Sequence, residues 1–239
     1  MKVNSPGKLF VVATPIGNLE DITFRAVKVL KKVDLIAAED TRRTRILLNA
    51  YNIKVPLTSY HDHNKKRQGE KLLKLLLSGK SIALVSDAGT PGISDPGYFL
   101  INLAINNNVT IIPIPGVSAI ITALSISGLP SDRFSFEGFL PRKVNLRRKF
   151  IQNLKDKEQT LILYEAPHRI IATLHDFLDI CGERWIVIAR ELTKVYEEII
   201  RGAISEVVKK LSGKKMKGEF TILISSANYS EKVLLSKKE

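Results

Sequence analysis

The sequence contains little sulfur and no long apolar segment. Its 239 residues include one cysteine, Cys181, and two methionines, so an internal disulfide cannot form. No apolar run reaches the roughly 20 residues that a membrane-spanning helix needs. The first residues lead into a strand-like run at 9–13 without the apolar core of a signal peptide. We therefore expect a soluble, cytoplasmic protein with no membrane partner.

The common motifs for nucleotide phosphates and for zinc are also missing. A glycine-rich segment at residues 86–97 reads SDAGTPGISDPG, which has neither the glycine spacing of a dinucleotide fingerprint nor the Gly-Lys-Ser/Thr ending of a P-loop. His61 and His63 alternate in one segment, but no cysteine cluster accompanies them, and His168 and His175 are distant in sequence. We therefore expect ordinary surface histidines and no metal site.

Acidic residues are outnumbered, since 37 Lys and Arg against 24 Asp and Glu give a net charge of +13. Such an excess favours a polyanionic partner such as RNA, although any single basic run can simply be a solvated face. Both halves of the chain share the excess. The basic clusters are Arg42, Arg43 and Arg45; Lys65, Lys66 and Arg67; Arg142, Lys143, Arg147, Arg148 and Lys149; and Lys209, Lys210, Lys214, Lys215 and Lys217.

Strand-like and helical segments alternate in the first half, which predicts an α/β fold with a parallel sheet. The predicted strands are residues 9–14, 35–38, 82–85 and 110–114, and the predicted helices are 23–32 and 64–78. Two prolines and a glycine at positions 113–116 predict the end of this sheet. We therefore expect a first domain at residues 1–115.

Strands outnumber helices in the second half, so we expect some antiparallel pairing there. The predicted strands are residues 135–139, 160–164, 185–189, 198–201 and 220–224, and the predicted helices are 118–125, 146–154, 170–180 and 204–211. This pattern predicts a second α/β domain with a mixed sheet at residues 116–226, followed by a polar tail at 227–239.

Segment 86–97 directly follows the apolar run 82–85, so it should lie at the carboxyl end of a buried strand. Ligands of open α/β sheets bind at such ends, and glycines let backbone groups approach a ligand closely. Asp95 and Pro96 would begin the next helix as its cap and first residue. A simple turn between strand and helix is the alternative.

Further polar segments follow other predicted strands: TPIGNL at 14–19, EDTRRT at 39–44 and YEAPHR at 164–169. Together they predict one composite cleft. Each also has a purely structural explanation. Asp40 or Thr41 could cap a helix, Pro167 could start one, and Glu165 with Arg169 could form an ion pair.

These segments, with PGVSA at 115–119 and RELTK at 190–194, resemble in this order the tetrapyrrole methylase superfamily. The chain is most similar to the ribosomal RNA branch, which methylates the 2′-hydroxyl of a decoding-centre cytidine in the small subunit. The resemblance implies two α/β domains, S-adenosylmethionine in a cleft between them, and a homodimer. The alternatives are a small-molecule tetrapyrrole methylase and an RNA-binding module without catalysis.

The resemblance also assigns cofactor contacts. Residues 87–93 would line the methionine and ribose, Ser118 and Ala119 would contact the methionine end, and segments from the second half would hold adenosine. The residues assigned to the cofactor are Pro15, Asp87, Ala88, Gly89, Thr90, Ile93, Ser118, Ala119, Tyr164, Ala166, Gly218, Glu219 and Thr221.

Methyl transfer to a ribose hydroxyl needs alignment of the hydroxyl with the methyl group and removal of its proton, and it needs no metal. We expect the segments around residues 39–42 and 165–169 to position RNA at the reaction centre, through Glu39, Asp40, Arg42, Glu165, His168 and Arg169. The general base stays open among Glu39, Asp40, Glu165, His168 and Glu191. Basic clusters spread over both halves predict that an assembled small subunit is a better acceptor than a short oligonucleotide.

Overall fold

The computed structural model of the chain describes residues 5–229. The chain forms two compact units, which divide along the sequence between Ser118 and Ala119. The sequence-based division lies slightly earlier, after residue 115. Of the predicted polar tail, residues 230–239 lie outside the described residues.

The first unit contains a five-stranded sheet in the order β3-β2-β4-β1-β5. All of its pairings are parallel, which confirms the prediction. Its strands are β1 (Lys8–Val12), β2 (Leu35–Ala38), β3 (Leu57–Ser59), β4 (Ile82–Val85) and β5 (Thr110–Ile114). β4 is central and wholly buried, as its apolar sequence predicts. Pro113 is tolerated because β5 is the edge strand next to β1.

Helices cover both faces of this sheet. They are α1 (Phe24–Leu30), α2 (Thr41–Ala50), α3 (Lys65–Leu77) and α4 (Gly97–Asn106). Leu30 of α1 and Leu48 of α2 pack with strand residues of one face, whereas Leu72 of α3 and Leu100 of α4 pack on the other. The result is a three-layer arrangement with the carboxyl ends of all five strands along one edge of the sheet.

The second unit contains another five-stranded sheet, in the order β6-β7-β10-β8-β9. Its strands are β6 (Phe134–Phe139), β7 (Thr160–Glu165), β8 (Trp185–Arg190), β9 (Glu198–Ala203) and β10 (Phe220–Ile224). β6 and β7 pair in parallel, and the other three pairings are antiparallel. The predicted mixed sheet is therefore confirmed.

The remaining helices pack against this second sheet. They are α5 (Ala119–Ser125), α6 (Val144–Leu154), α7 (Ile170–Cys181) and α8 (Ile204–Leu211). Ile151, Phe177 and Val207, one from each of α6, α7 and α8, join strand residues in the main core, while α5 packs against β10. Within residues 5–229, no helix is long and apolar enough to cross a membrane.

One predicted basic cluster is partly structural. Arg147 is buried, and its Nε donates to Asp176 Oδ2 at 2.7 Å. Arg148 Nη1 contacts both Asp176 at 2.5 Å and Asp179 at 3.0 Å. Arg147 is therefore not available to an RNA-binding surface, and it helps to join α6 to α7.

Candidate active site

The carboxyl ends of β1, β2 and β4 lie side by side, and each continues into one of the predicted polar segments. The backbones of Thr14 and Gly89 exchange two hydrogen bonds, of 2.9 and 3.0 Å. Thr14 Oγ1 also donates to the carbonyl oxygen of Ser86 at 3.2 Å. Segments 14–19 and 86–97, far apart in sequence, are thereby joined at the strand ends.

Segment 86–97 forms a tight loop. Gly89, Gly92 and Ser94 have φ values of 80°, 89° and 63°, which lie in the left-handed region that glycine adopts most easily. Asp95 Oδ1 accepts from the N–H of Gly92 at 2.8 Å and of Gly97 at 2.7 Å. Burial raises the pKa of Asp95, despite these donors. The Asp95 carboxylate therefore links Gly92 to Gly97 and stabilises the turn between them.

The predicted start of the following helix is one residue early. α4 begins at Gly97 with Pro96 as its N-cap, and no side chain bonds from that cap. Asp95 thus precedes the cap, yet its Oδ1 still accepts from the N–H of Gly97, the first residue of α4, as well as from Gly92.

A cluster of carboxylates joins segment 39–44, which follows β2, to segment 86–97, which follows β4. Asp87 Oδ1 accepts from Asp40 N at 2.8 Å, and Asp87 Oδ2 lies 3.3 Å from Arg43 Nη1. Asp87 N donates to Glu39 Oε2 at 3.4 Å. Burial, assisted by the negative charges of Asp87 and Asp95, raises the pKa of Glu39. The cluster therefore contains a carboxyl group with increased affinity for a proton.

Asp40 has the opposite electrostatic environment. Its Oδ1 accepts from the N–H of Arg42 and caps α2, as one of the structural explanations predicts. Arg42 Nη2 also lies 2.9 Å from Asp40 Oδ2. The hydrogen bonds from the Arg42 side chain and backbone lower the pKa of Asp40 to about 2. Asp40 is therefore ionised at neutral pH and a weak base.

A cavity of about 130 Å³ opens at these strand ends. It is lined by Thr14, Pro15, Leu19, Arg43, Thr44, Ile46, Leu47, Ser86 and Asp87. Pro15 and Asp87, both assigned to the cofactor by resemblance, thus share one cavity. Arg43 was expected only as part of a basic cluster, since nothing in its sequence position distinguishes it from Arg42 or Arg45. The apolar walls and the Arg43–Asp87 ion pair suit a ligand that carries a positive and a negative charge.

Four further residues assigned to the cofactor, Ala88, Gly89, Thr90 and Ile93, lie in this loop itself. Ala88 and Ile93 are exposed, whereas Gly89 is buried. Thr90 Oγ1 donates to the carbonyl oxygen of Val117 at 3.2 Å, which joins the loop to the segment that ends at Ser118. Ser118 and Ala119 are half-buried.

The second unit brings its own predicted segments together at one end of its sheet. In the strand register, Phe220 of β10 lies opposite both Glu165 of β7 and Arg190 of β8, and Arg190 lies opposite Glu198 of β9. Segments 164–169, 190–197 and 218–221 therefore lie at the same end of this sheet.

Glu165 and Arg169 form the ion pair that the structural explanation predicts. Glu165 is buried, with its Oε1 3.2 Å from Arg169 Nε and its Oε2 accepting from Thr173 Oγ1 at 2.6 Å. Arg169 Nη2 donates to the carbonyl oxygens of Leu140 and Pro141. These bonds orient the loop after β7 and engage both Glu165 oxygens.

The neighbouring positions of this loop differ in exposure. His168 is exposed, whereas Ala166 is half-buried. The helix predicted at 170–180 is present, since α7 starts at Ile170 with Arg169 as its N-cap, so Pro167 does not start a helix as its structural explanation suggested.

Tyr164 and Thr221 are paired directly across β7 and β10. The Tyr164 ring lies 4.9 Å from the Phe136 ring and 5.5 Å from the Phe139 ring, centroid to centroid. Burial raises the pKa of Tyr164 to about 12, so its hydroxyl stays protonated. These residues form an aromatic surface with polar groups at its edge, which suits a flat base such as adenine.

Gly218 and Glu219 are joined to the segment after β8. A Cβ atom on Gly218 would lie 2.5 Å from Glu191 Cγ, and its φ is 99°. Lys194 Nζ contacts Glu191 Oε1 at 2.7 Å and Glu219 Oε2 at 3.0 Å. Although burial alone would raise the pKa of Glu191, the hydrogen bonds from Lys194 and the Glu219 N–H lower it. Glu191 is therefore held as a paired carboxylate.

The two alternating histidines contact each other edge to face, with ring centroids 6.0 Å apart. In the part of the chain that the structure describes, no group of three His, Cys, Asp or Glu side chains is placed to hold a metal ion.

Comparisons with known proteins agree with this arrangement. A model of the tetrapyrrole (corrin/porphyrin) methylases matches residues 8–208. Ribosomal RNA small subunit methyltransferase I of Halalkalibacterium halodurans is 53% identical over 218 residues, covering 91% of this chain and 75% of that protein. The protein of the same name from Thermotoga maritima is 49% identical over 219 residues, covering 92% and 98%.

A solved structure, uroporphyrin-III C-methyl transferase from Thermus thermophilus complexed with S-adenyl homocysteine, shares the fold. Its TM-score is 0.63 at 16% identity, and the match covers 92% of this chain and 98% of that one. The chain therefore belongs to the tetrapyrrole methylase family and, within it, to the family of ribosomal RNA small subunit methyltransferase I.

Proposed function

We propose that this protein uses S-adenosylmethionine to methylate the ribose 2′-hydroxyl of a cytidine in the decoding centre of small-subunit ribosomal RNA. The observation that carries the proposal is the near full-length similarity, 49% identity over 98% of the Thermotoga maritima protein, to a protein named for that rRNA. The net charge of +13 supports a polyanionic substrate.

The first unit has a donor set that fits one end of the cofactor. A methionine zwitterion needs an anion and a cation side by side, and Asp87 with Arg43, 3.3 Å apart in the cavity, supplies both. Pro15 provides an apolar wall. The cavity of about 130 Å³ is smaller than the roughly 300–1,000 Å³ of complete ligand pockets. It would therefore receive only part of S-adenosylmethionine.

The second unit supplies groups that fit adenosine. Tyr164, packed against two phenylalanines, would face the adenine ring, and Ala166, Gly218, Glu219 and Thr221 lie at the same end of the sheet. When bound, S-adenosylmethionine supplies a methyl group activated by its sulfonium. The protein's task is then to align the ribose hydroxyl and to accept its proton.

Glu39 is the best supported base among the five candidates. Asp40 and Glu191 are ion-paired carboxylates whose pKa values are lowered, and both oxygens of Glu165 are engaged inside the protein. Burial raises the pKa of Glu39, which brings it towards the pH at which a base works best. His168 is exposed and serves as the comparison.

We propose two partners for the protein: an assembled small subunit as the methyl acceptor, and a second copy of the chain in a homodimer. Exposed basic residues in both units, among them Arg42, Lys66, Lys143 and Lys215, support contact with a broad folded RNA surface. A small-molecule tetrapyrrole methylase is the weaker alternative, because the uroporphyrin-III C-methyl transferase described above is only 16% identical, whereas the ribosomal RNA methyltransferases are about 50% identical.

The deciding experiment is transfer of labelled methyl from S-adenosylmethionine to small subunits that lack the modification, followed by nuclease digestion. We expect 2′-O-methylcytidine, with assembled subunits faster than short oligonucleotides. Transfer to no RNA, with cofactor binding intact, would redirect the assignment to a small-molecule acceptor.

Asp87→Asn tests the cofactor assignment within the same assay. Because it removes a charge from the Arg43 pair, we expect S-adenosylmethionine binding to weaken roughly 10- to 100-fold. Asp156→Asn, at an exposed position of the second unit, is the matched control and should bind normally.

A further inference from the structure

The loop between β8 and β9, residues 191–197, presents two large apolar side chains to solvent. Val195 is 93% exposed and Tyr196 is 76% exposed. No step of the proposed reaction uses either side chain. An exposed aromatic residue on a rigid support is a common element of interaction surfaces, since its ring is apolar and has few rotamers to lose.

This loop is rigidly held. Glu191 and Thr193 adopt left-handed backbone conformations, with φ of 49° and 66°, which cost free energy for residues other than glycine. Thr193 N donates to Glu197 Oε2 at 2.6 Å, and Lys194 Nζ joins Glu191 to Glu219. Leu192, within the loop, has a buried side chain. The tip therefore presents Val195 and Tyr196 on a supported backbone.

A second loop, residues 212–219, is attached to the first. Arg190 Nε donates to the carbonyl oxygen of Lys217 at 2.8 Å, and the Lys194–Glu219 contact makes a further connection. This second loop carries Lys214, Lys215 and Lys217, all exposed. None of the three forms an ion pair within residues 5–229.

The acidic groups nearby are engaged within the protein. Glu191 and Glu219 contact Lys194, Glu197 accepts from the Thr193 N–H, and Glu198 lies 3.1 Å from Arg190 Nη1. Residues 190–198 and 212–219 together carry five basic and four acidic side chains, so their net charge is positive, and the three lysines of the second loop are its unpaired part. An exposed aromatic ring on one loop and unpaired lysines on the loop attached to it are the two elements that bind single-stranded nucleic acid, by stacking and by phosphate contacts.

We propose that Tyr196 stacks on an unpaired base of RNA while Lys214, Lys215 and Lys217 contact the adjoining phosphates. This inference rests on the proposed function, since it describes how that enzyme holds its acceptor. A second copy of the chain is a poorer occupant. A two-fold interface places the same patch of both subunits together, so the two lysine loops would repel each other.

The test measures binding of a fluorescein-labelled, single-stranded oligoribonucleotide of mixed sequence by anisotropy. We expect Tyr196→Ala to weaken binding roughly 5- to 150-fold, the range for loss of one stacked base. Tyr196→Phe keeps the ring and should bind like the wild type. Phe24→Ala removes another aromatic side chain, 97% exposed, and should leave binding unchanged.

The lysines have a separate readout. Replacing all three, by Lys214→Gln, Lys215→Gln and Lys217→Gln together, should reduce the slope of log K against log salt by about 2, since each single-strand phosphate contact contributes about 0.7. S-adenosylmethionine binding should remain normal in every variant, which shows that the fold is intact.

Unchanged RNA affinity of Tyr196→Ala would overturn the inference, and so would a change in sedimentation from dimer to monomer without loss of RNA binding. The two proposals fail separately. If the wild type and Tyr196→Ala methylate subunits equally well, only the inference is removed. A wild-type protein that binds RNA through Tyr196 but methylates none removes only the proposed function.

Discussion

Individual carboxylates in this protein have different tasks because their neighbours differ. Glu39 and Asp40 are adjacent in sequence, yet burial raises the pKa of one and Arg42 lowers the pKa of the other. Asp87, at the end of the next strand, contacts both residues through backbone N–H groups. Acid–base behaviour is therefore decided residue by residue.

The pH dependence of methyl transfer should report Glu39. A carboxylate base works only when ionised, so the rate should rise with pH and then reach a plateau. The midpoint of the rise should lie above the ordinary glutamate pKa of 4.5, because burial raises the pKa of Glu39. We expect Glu39→Gln to lower kcat about 10²- to 10⁴-fold and to remove this limb. Single-turnover rates between pH 4.5 and 9 would measure it.

The comparison for Glu39 is His168→Asn at the remaining base candidate, which should keep the acid limb even where loss of an RNA contact lowers the rate. Stability provides a second check. Because the folded pKa is raised, ionised Glu39 lowers stability as pH increases through that pKa. Glu39→Gln should therefore be no less stable than the wild type at pH 7. Retention of more than a tenth of the wild-type rate would exclude Glu39 as the base.

At the scale of elements, helices α6 and α7 are joined by a buried ion pair. The side chains of Arg147 and Asp176 are only 6% and 8% exposed. Removing one partner of such a pair leaves a buried charge without compensation. The contact is therefore expected to matter for the stability of the second unit.

We expect Asp176→Ala to lower the free energy of unfolding by about 3–5 kcal/mol. Asp179→Ala removes a partner of Arg148 that is 56% exposed, so it should cost about 1 kcal/mol or less. Trp185, the single tryptophan, lies in β8 and makes its fluorescence a probe of this unit during urea unfolding. Equal losses of unfolding free energy in both variants would show that the buried pair stabilises the unit no more than the exposed pair does.

At the scale of the whole molecule, the net charge of +13 determines how binding responds to salt. Each phosphate contact releases counterions, so 6 to 10 contacts would weaken RNA binding about 10³- to 10⁵-fold between 50 and 200 mM salt. We expect a loss of this order for small subunits in filter-binding titrations. S-adenosylmethionine, bound without counterion release, should change by less than about twofold. Salt-independent subunit binding would contradict a phosphate-based interface.

The elements of both units could largely be predicted from the sequence, because apolar runs and helical periodicity are local signals. β2, β4, β5, β10 and α8 have the predicted limits. β3 was not predicted, since its three residues, Leu-Thr-Ser, have little apolar content and depend on pairing with β2. α2 was expected only as a possible capped helix, because most of its first turn is polar.

The site was predictable as a set of segments, but the task of each side chain was not. Glycine, proline and charged residues at strand ends indicate where a ligand binds in a parallel sheet, and the six segments suffice to recognise the family. Their order along the chain is a property of the sequence alone. So are the excess of positive charge and the absence of a second cysteine.

Only the tertiary structure decided which of these charges are available to a substrate. Arg43 meets Asp87, Arg147 meets Asp176, and Glu165 meets Thr173. The first two pairs join residues far apart in sequence, so no local pattern contains them. The physical reason is that a charge or hydrogen bond depends on distance and burial, which packing sets after the strands are arranged. The sequence determined where the chemistry is concentrated, and packing determined which groups perform it.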